Sequence, residues 1–589
     1  MRPGWVTAIL LLASALLLAG VPPLRDALYG HGEFLGVGVC RATGLPSERR
    51  LLDVVKANPH DAQLWLAFAE AGPVCETQPL EAQNEPPSQE QFRQAAESQS
   101  TRAGSRYRQA TALAPDDFAV NFRYGLHLLS HAGTLYRTEA WGDEGHNEYE
   151  RTAQETDNLR RAQAMFHKAA RLDPENAAPD YMLAIAYLSQ HEDASAFAAL
   201  QSAIRKACWS LATRESGLAL LRLFDGTGER PLLAGIEARG VRDVNHYGAL
   251  QVLRPAMRTM LGLAETLRRS GKHEDAIVYY EAGVHLGRLM RTQSHSAIEG
   301  LVGLALSRLA SEPFLAEHER QTAGGTDTSA EANERRWQVQ RTAFCKHLRR
   351  HGRTDLAQLY EREAEEGQRW KDQVAARMRQ EATRTAPLAR GGGTLSSWAC
   401  WAQAASLLVL LLIVFCVSCI GRLRIKDQLL LPYSYLEWLL ALLLSLAAGQ
   451  LAGVAIANRT ASISDPVSHF TALMSDEQFA HDVTTTTLIG LGVWLLAALT
   501  ITLGKRAEQR SSECGSARAY LATLRALLPP TFAACLLISV VMLAPAARFL
   551  EQYNAQLRGE IQYGEVEYWN LRDQAAADQA HISGEDAYW

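Results

Sequence analysis

The sequence predicts an all-α protein: a helical-hairpin solenoid joined to a helical membrane bundle with one N-terminal and four C-terminal transmembrane helices. Three observations carry that prediction. Amphipathic segments flank prolines at Pro115 and Pro174, and the same residue spacing recurs down the middle of the chain. Five charge-free runs are each long enough to cross a bilayer as a helix. The chain has 589 residues, more than one hydrophobic core usually supports, and its 47% hydrophobic and 21% charged residues are segregated along its length.

The first element is the uncharged run between Arg2 and Arg25, within residues 1–24. It reads either as a transmembrane anchor or as a secretory signal, because a basic start and the small residues before Pro22 and Pro23 suit cleavage. Both readings export the region C-terminal to it. Residues 25–390 are charged and soluble in character; a Gly/Ser hinge at 391–397 then opens a four-helix transmembrane region at 398–548. Its runs are Ser397 to Ile420, about Trp438 to Ala457, a run ending at Gly504, and about Ala526 to Ala547. Only a helix satisfies its own backbone polar groups in such a place. An acidic, aromatic tail at 549–589 completes the chain.

Loop charge predicts orientation. Arg422, Arg424 and Lys426 follow the first of the four C-terminal runs, and Lys505, Arg506, Arg510, Arg518 and Arg525 follow the third. The loop between the second and third holds Arg459 against Asp465, Asp476, Glu477 and Asp482. The positive-inside rule therefore keeps the two basic loops in the cytoplasm and exports both the 25–390 region and the tail. The net charge of −5 averages over two compartments and says nothing of partners. Basic and acidic residues alternate in the exported part, which is the pattern of solvated helix faces and argues against a nucleic-acid surface.

Within 25–390, Ala162, Phe166, Ala169 and Leu172 share one helical face before Pro174, and Leu183, Ala184 and Tyr187 form the stripe of the next segment. Ala103, Tyr107, Ala110, Leu113 and Pro115 repeat the first spacing, followed by Tyr124, Gly125 and Leu128. Small residues let two helices approach and the aromatics fill the space beside them. This pattern resembles the tetratricopeptide repeat, a helix-turn-helix unit that stacks into solenoids. Ala196, Leu200 and Ala203 continue a third unit. The clearest match runs Leu263, Ala264, Leu267, Gly271, Ala276, Tyr280 and Gly283. Phe344, Cys345, Leu348, Gly352, Ala357 and Ala364 give a degenerate copy, and Trp65, Phe68 and Ala69 resemble a first helix. Insertions near 73–102 and 131–157 interrupt the array, and residues 209–255 match no repeat.

Candidate chemistry is sparse. His127 and His131, with His146 nearby, lack the spacing of a metal motif and read as polar helix-end and loop residues. Cys40 and Cys75 form a possible disulfide in an exported compartment. Cys416 and Cys419 have thiol-disulfide spacing but lie inside an apolar run, where close helix packing explains them. Glu437 sits beside Tyr433, Tyr435 and Trp438, an interfacial belt. No nucleophile elbow, phosphate loop, dinucleotide fingerprint or metalloprotease helix occurs, so no catalytic residue, cofactor or metal is expected.

The resemblance implies a concave binding face lined by first-helix side chains. Carried over position by position, it nominates Phe122, Arg123, Tyr181, Arg258, Glu265, Arg268 and Arg269 as a partner-binding groove suited to an acidic peptide or a carboxylate. The tail is itself a candidate ligand. The implied role is a non-catalytic scaffold in a bacterial inner membrane, multi-pass, with repeats and tail on the periplasmic side and envelope or membrane proteins and the lipid bilayer as partners. The alternatives are a transporter or channel subunit with a path beside Glu437 and Gln450, and a membrane thiol oxidoreductase using Cys416 and Cys419. Composition does not select an oligomeric state.

Overall fold

Helix formers spaced three and four apart, punctuated by Pro, Gly and Asp, dictate short helices joined by tight turns, and this is what folds. The structure, a computed structural model, describes residues 11–17, 48–75, 89–132, 152–228, 234–314, 330–390 and 543–585, with single positions between 495 and 537. The protein is all-α. Among the described residues the regular elements are helices, and the one β contact is an isolated bridge between Asn176 and Cys208. Nearly all of the four C-terminal apolar runs, and most of the N-terminal one, lie outside the described residues. No helix among the described residues is long and apolar enough to cross a membrane.

The chain divides into two units. One comprises Met1–Gly44 with Ala376–Asn554, and the other Leu45–Ala375 with Ala555–Trp589. The second unit holds the described core. Its helices are α1 (Glu48–Ala57), α2 (Ala62–Cys75), α3 (Gln89–Leu113), α4 (Phe118–Ser130), α5 (Ala153–Leu172), α6 (Ala178–Ser189) and α7 (Asp193–Ile204). Next come α8 (Thr213–Thr227), α9 (Ala234–Gln251), α10 (Leu253–Arg269), α11 (His273–Gln293), α12 (Ala297–Leu309), α13 (Ala330–Arg350) and the start of α14 (Thr354–Arg390). The end of α15 (Leu543–Tyr563) and α16 (Glu565–Glu585) complete it. The insertion expected near 73–102 is partly helical, because α3 begins at Gln89; α5 begins inside the second expected insertion, at Ala153.

Turn chemistry fixes the hairpins. Asp117 caps α4 by accepting from Val120 N at 2.9 Å, and Thr152 with Glu155 forms a capping box on α5. Three further turns share one register, each with a left-handed residue: His191 (φ 60°), Gly271 (φ 80°) and Gly352 (φ 75°). The amide after each returns to the preceding helix, Glu192 to Tyr187 O at 3.0 Å, Lys272 to Leu267 O at 2.9 Å and Arg353 to Leu348 O at 2.9 Å. Five residues past each left-handed position stands a fully buried alanine: Ala196, Ala276 and Ala357.

Packing follows the small residues. The Phe166 ring lies where a β-carbon on Gly125 would stand, 2.7 Å away, so α4 and α5 close tightly only with glycine there. Closer still are α11 and α12, where the missing β-carbons of Gly287 and Gly303 would fall 2.5 and 2.7 Å from the opposing glycine's carbonyl oxygen. The α6/α7 hairpin stacks directly on α10/α11, with Phe197 against Tyr279 at 5.6 Å between ring centroids, although α8 and α9 intervene in sequence. Those two helices pack instead on α1 and α2 around Leu51, Phe68, Leu220 and Phe224.

Into this second cluster comes the tail. Ile561 is 1% exposed and touches the site of Gly217, while Trp569 is 4% exposed and packs with Ala297, Val374 and Trp370. Arg239 binds Glu560 and lies 3.7 Å from Glu565, and Arg558 grips Asp225 with both terminal nitrogens. Glu565 N donates to His295 O at 2.8 Å, and its carboxylate accepts from Ala297 N at 3.0 Å, capping α12. Residues 555–575 therefore pack against the domain as part of its fold, with Leu557, Ile561 and Trp569 buried.

Gly303→Leu is expected to lower the urea midpoint by an amount equivalent to about 1–3 kcal/mol or more, through overpacking against α11. Gly248→Ala, where nothing lies within 4 Å of the added carbon, is expected to be neutral or stabilising by about 0.5–1 kcal/mol. Equal effects of the two would contradict the close α11/α12 approach. Trp569→Ala is expected to cost about 3–5 kcal/mol, seen as faster proteolysis of the 45–375 region; unchanged protease resistance would mean that the tail is peripheral.

Candidate functional site

Of the seven groove residues nominated by sequence, three are interior. Phe122 is 0% exposed between Phe118 and Phe166, with ring centroids 5.4 and 5.7 Å away. Arg123 is buried and its Nε donates to Glu70 Oε1 at 2.6 Å, while the second Glu70 oxygen accepts from Ser216 Oγ. Burial opposes the Arg123 charge, yet the Glu70 carboxylate beside it keeps the guanidinium protonated. The Tyr181 hydroxyl donates to Ala282 O at 2.9 Å deep between two hairpins. These residues join helices and offer no surface to a partner.

Glu265, Arg268 and Arg269 satisfy one another on the last turns of α10. Glu265 accepts from Arg268 Nε at 2.7 Å and Arg269 Nε at 2.9 Å, so the nominated charges are spent within the helix. Burial raises the Glu265 pKa, and the hydrogen bonds from both arginines more than reverse that and hold it low.

Arg258 has a different setting. It lines an open cleft of about 1080 Å³ framed by α9, α10, α12 and α13. Leu250 of α9 with Val302, Leu306 and Leu309 of α12 make its apolar floor. Arg254, Arg258, Arg308 and Arg336 supply guanidinium groups, against one lining carboxylate, Glu312. Arg308 lies over the Trp337 ring at 4.2 Å and donates to Gln368 at 3.1 Å, which fixes that wall. Arg254 and Arg258 form no ion pair among the described residues. An apolar floor below unpaired guanidinium groups takes aliphatic or aromatic side chains and binds carboxylates bidentately.

Sequence reading found only Arg258 of this cleft. Arg254 lies at the edge of the 209–255 stretch that matches no repeat, and Trp337 lies ahead of the degenerate copy. The available signal was the spacing Arg254, Arg258, which puts both on one helical face.

A buried polar node lies beneath the tail. The Trp209 indole donates to Glu299 Oε1 at 2.6 Å, the His295 amide donates to Oε2 at 3.3 Å, and His246 Nε2 stands 3.7 Å from Glu299 Oε2. Thr213 and Ser296 hydroxyls lie 3.3 and 3.4 Å from the two His246 nitrogens. Burial pushes the Glu299 carboxyl up to about 7, against the Trp209 and His295 donors. Burial, with Arg123 and Arg242 nearby, pushes His246 down to about 3. A Ser/His/Glu set invites a nucleophilic reading, but all of these side chains are buried, and their contacts are those of an interior network.

His127 and His131 stack edge-on at 4.7 Å, next to Tyr107. Cys40, the Cys75 side chain, His146, Cys416, Cys419, Glu437 and Gln450 lie outside the described residues. Cys208 is exposed and Cys345 buried, both as free thiols. No family model matches this chain, and comparison with curated proteins finds no match.

A carboxyl raised in the folded state stabilises below its unfolded pKa and loses that contribution as pH climbs through the folded value. For Glu299 the window runs from the ordinary value of 4.5 to about 7. Stability of Glu299→Gln relative to the parent is therefore expected to rise by on the order of 3 kcal/mol from about pH 4.5 to about pH 8. Paired urea titrations read this directly, and a difference independent of pH would refute the shifted carboxyl.

Proposed function

We propose that the protein is a non-catalytic scaffold of tetratricopeptide type, anchored in a bacterial inner membrane by its apolar runs. Its helical unit faces the periplasm and captures acidic, apolar-bearing segments of other envelope proteins. The observation that carries this reading is the cleft in which Arg254 and Arg258 stand unpaired over Leu250, Val302 and Leu306. Charge complementarity selects an acidic ligand, the floor anchors its side chains, and confinement to a membrane raises the local concentration of partners.

Two features support the architecture. The shared register of the turns at His191, Gly271 and Gly352 is that of a repeated helical hairpin. Residues 45–375 and 555–575 share one core, so they share one compartment. Any membrane crossing between them must then come in an even number, and four apolar runs meet that condition.

The test places a photo-crosslinking amino acid at Gln251 or Ile298 in the full chain, within intact membranes. Both are expected to trap a protein partner that a probe at Val244, exposed elsewhere on α9, does not trap. Arg254→Glu with Arg258→Glu is expected to cut recovery at least about tenfold. Equal trapping at all three positions would refute the cleft. Compartment is read separately: with the other cysteines changed to serine, exposed Cys208 is expected to react with an impermeant maleimide in spheroplasts, and labelling only after lysis would refute export.

A further inference from the structure

Away from the cleft, two hairpin turns of the same register come together end to end. His347 and His351 are four apart on α13 and its continuation, where His351 N donates to His347 O at 3.3 Å, so both rings leave one face. His273 opens α11, two residues beyond the left-handed Gly271, and its ring stacks on His351 with centroids 4.2 Å apart. The rings of His347 and His351 are 4.6 Å apart. One ring nitrogen from each of the three histidines lies within 4.8 Å of the others.

From this geometry we infer that His273, His347 and His351 form a site for one borderline divalent transition ion, of which Zn²⁺ is the test case, with a fourth position open to solvent. Three imidazoles are a ligand set that suits Zn²⁺, Cu²⁺ and Ni²⁺, while Ca²⁺ and Mg²⁺ require oxygen donors. Tetrahedral nitrogens bound at about 2.0–2.1 Å stand roughly 3.3 Å apart, so the three side chains must turn out of their stacked arrangement and draw together to close on an ion.

A second observation points to a ligand. His273 Nδ1 and His347 Nε2 are both buried and have no hydrogen-bond partner. A buried ring nitrogen without a partner is costly, and a cation between the rings supplies what is missing. The frame is rigid: Arg353 holds Glu281 through two 2.8 Å bonds that tie the α13/α14 turn to α11. Phe314 stands 5.0 Å from the His347 ring and closes the inner side. Arg268 does not confront the ion as an isolated charge, because Glu265 binds it.

Full-length protein carrying no histidine tag is stripped with a chelator and titrated with ZnCl₂ by calorimetry, and with CoCl₂ by visible absorption. The parent is expected to bind one ion per chain, to melt higher with Zn²⁺, and to show the intense bands of tetrahedral cobalt. His273→Ala, His347→Ala and His351→Ala are each expected to weaken binding at least about tenfold and to abolish the cobalt bands. His351 is exposed, so its variant retains the parent's metal-free helix signal and melting point; exposed His167→Ala serves as the control and leaves binding unchanged. Absence of stoichiometric binding by the parent, or binding by the triple variant as tight as the parent's, overturns the site.

Discussion

The constraint on which the rest of the structure depends is the seat of the tail. Arg239 and Glu560 are 321 positions apart and meet in an ion pair, with Ile561 buried beside them among α1, α2, α8 and α9. An isolated surface ion pair contributes little, but here three electrostatic contacts surround two large buried apolar side chains. Glu565 also caps α12, so the tail completes a helix that it does not belong to. Burial raises the Glu565 carboxyl, and Arg239 offsets part of that cost. The stretch from Leu557 to Trp569 is therefore built into the domain's packing.

That seat shows where sequence patterning succeeds and where it stops. Proline and glycine punctuation made the hairpins legible. Ala162, Phe166 and Ala169 are buried as their spacing requires, and Gly125 has no β-carbon because Phe166 lies there. Periodicity identifies the face of a helix that packs, but not what covers it. Phe122, Arg123 and Tyr181 were placed on a concave surface by analogy with a regular solenoid. In this chain Phe118 and Phe166 flank Phe122, Glu70 covers Arg123 and the α11 backbone covers Tyr181, while the stretch at 209–255 folds into two helices that join α1 and α2. The cleft was missed because its lining comes from four separate helices between Tyr247 and Gln340, and no local pattern encodes how they pack on one another.

The turns carry a second lesson. One backbone solution appears three times, yet the residues around it differ. His191 occupies the left-handed position itself, where a side chain costs roughly 1–2 kcal/mol relative to glycine. At the other two turns glycine takes that strain, and the histidines sit one, five and two positions from it. A repeated structural device thereby leaves its neighbouring positions free for distinct chemistry, and adjacent hairpins bring those positions together.

The seating of Ile561 and Trp569 also sets a timetable. A ribosome completes the helices from α1 to α14 long before it reaches the end of α15, so the nascent domain waits with its second hydrophobic cluster lacking Ile561. Its last structural component arrives only after every intervening segment has been synthesised. Truncated translation products therefore display an unsealed core, which gives proteases a physical mark by which to tell an unfinished chain from a finished one.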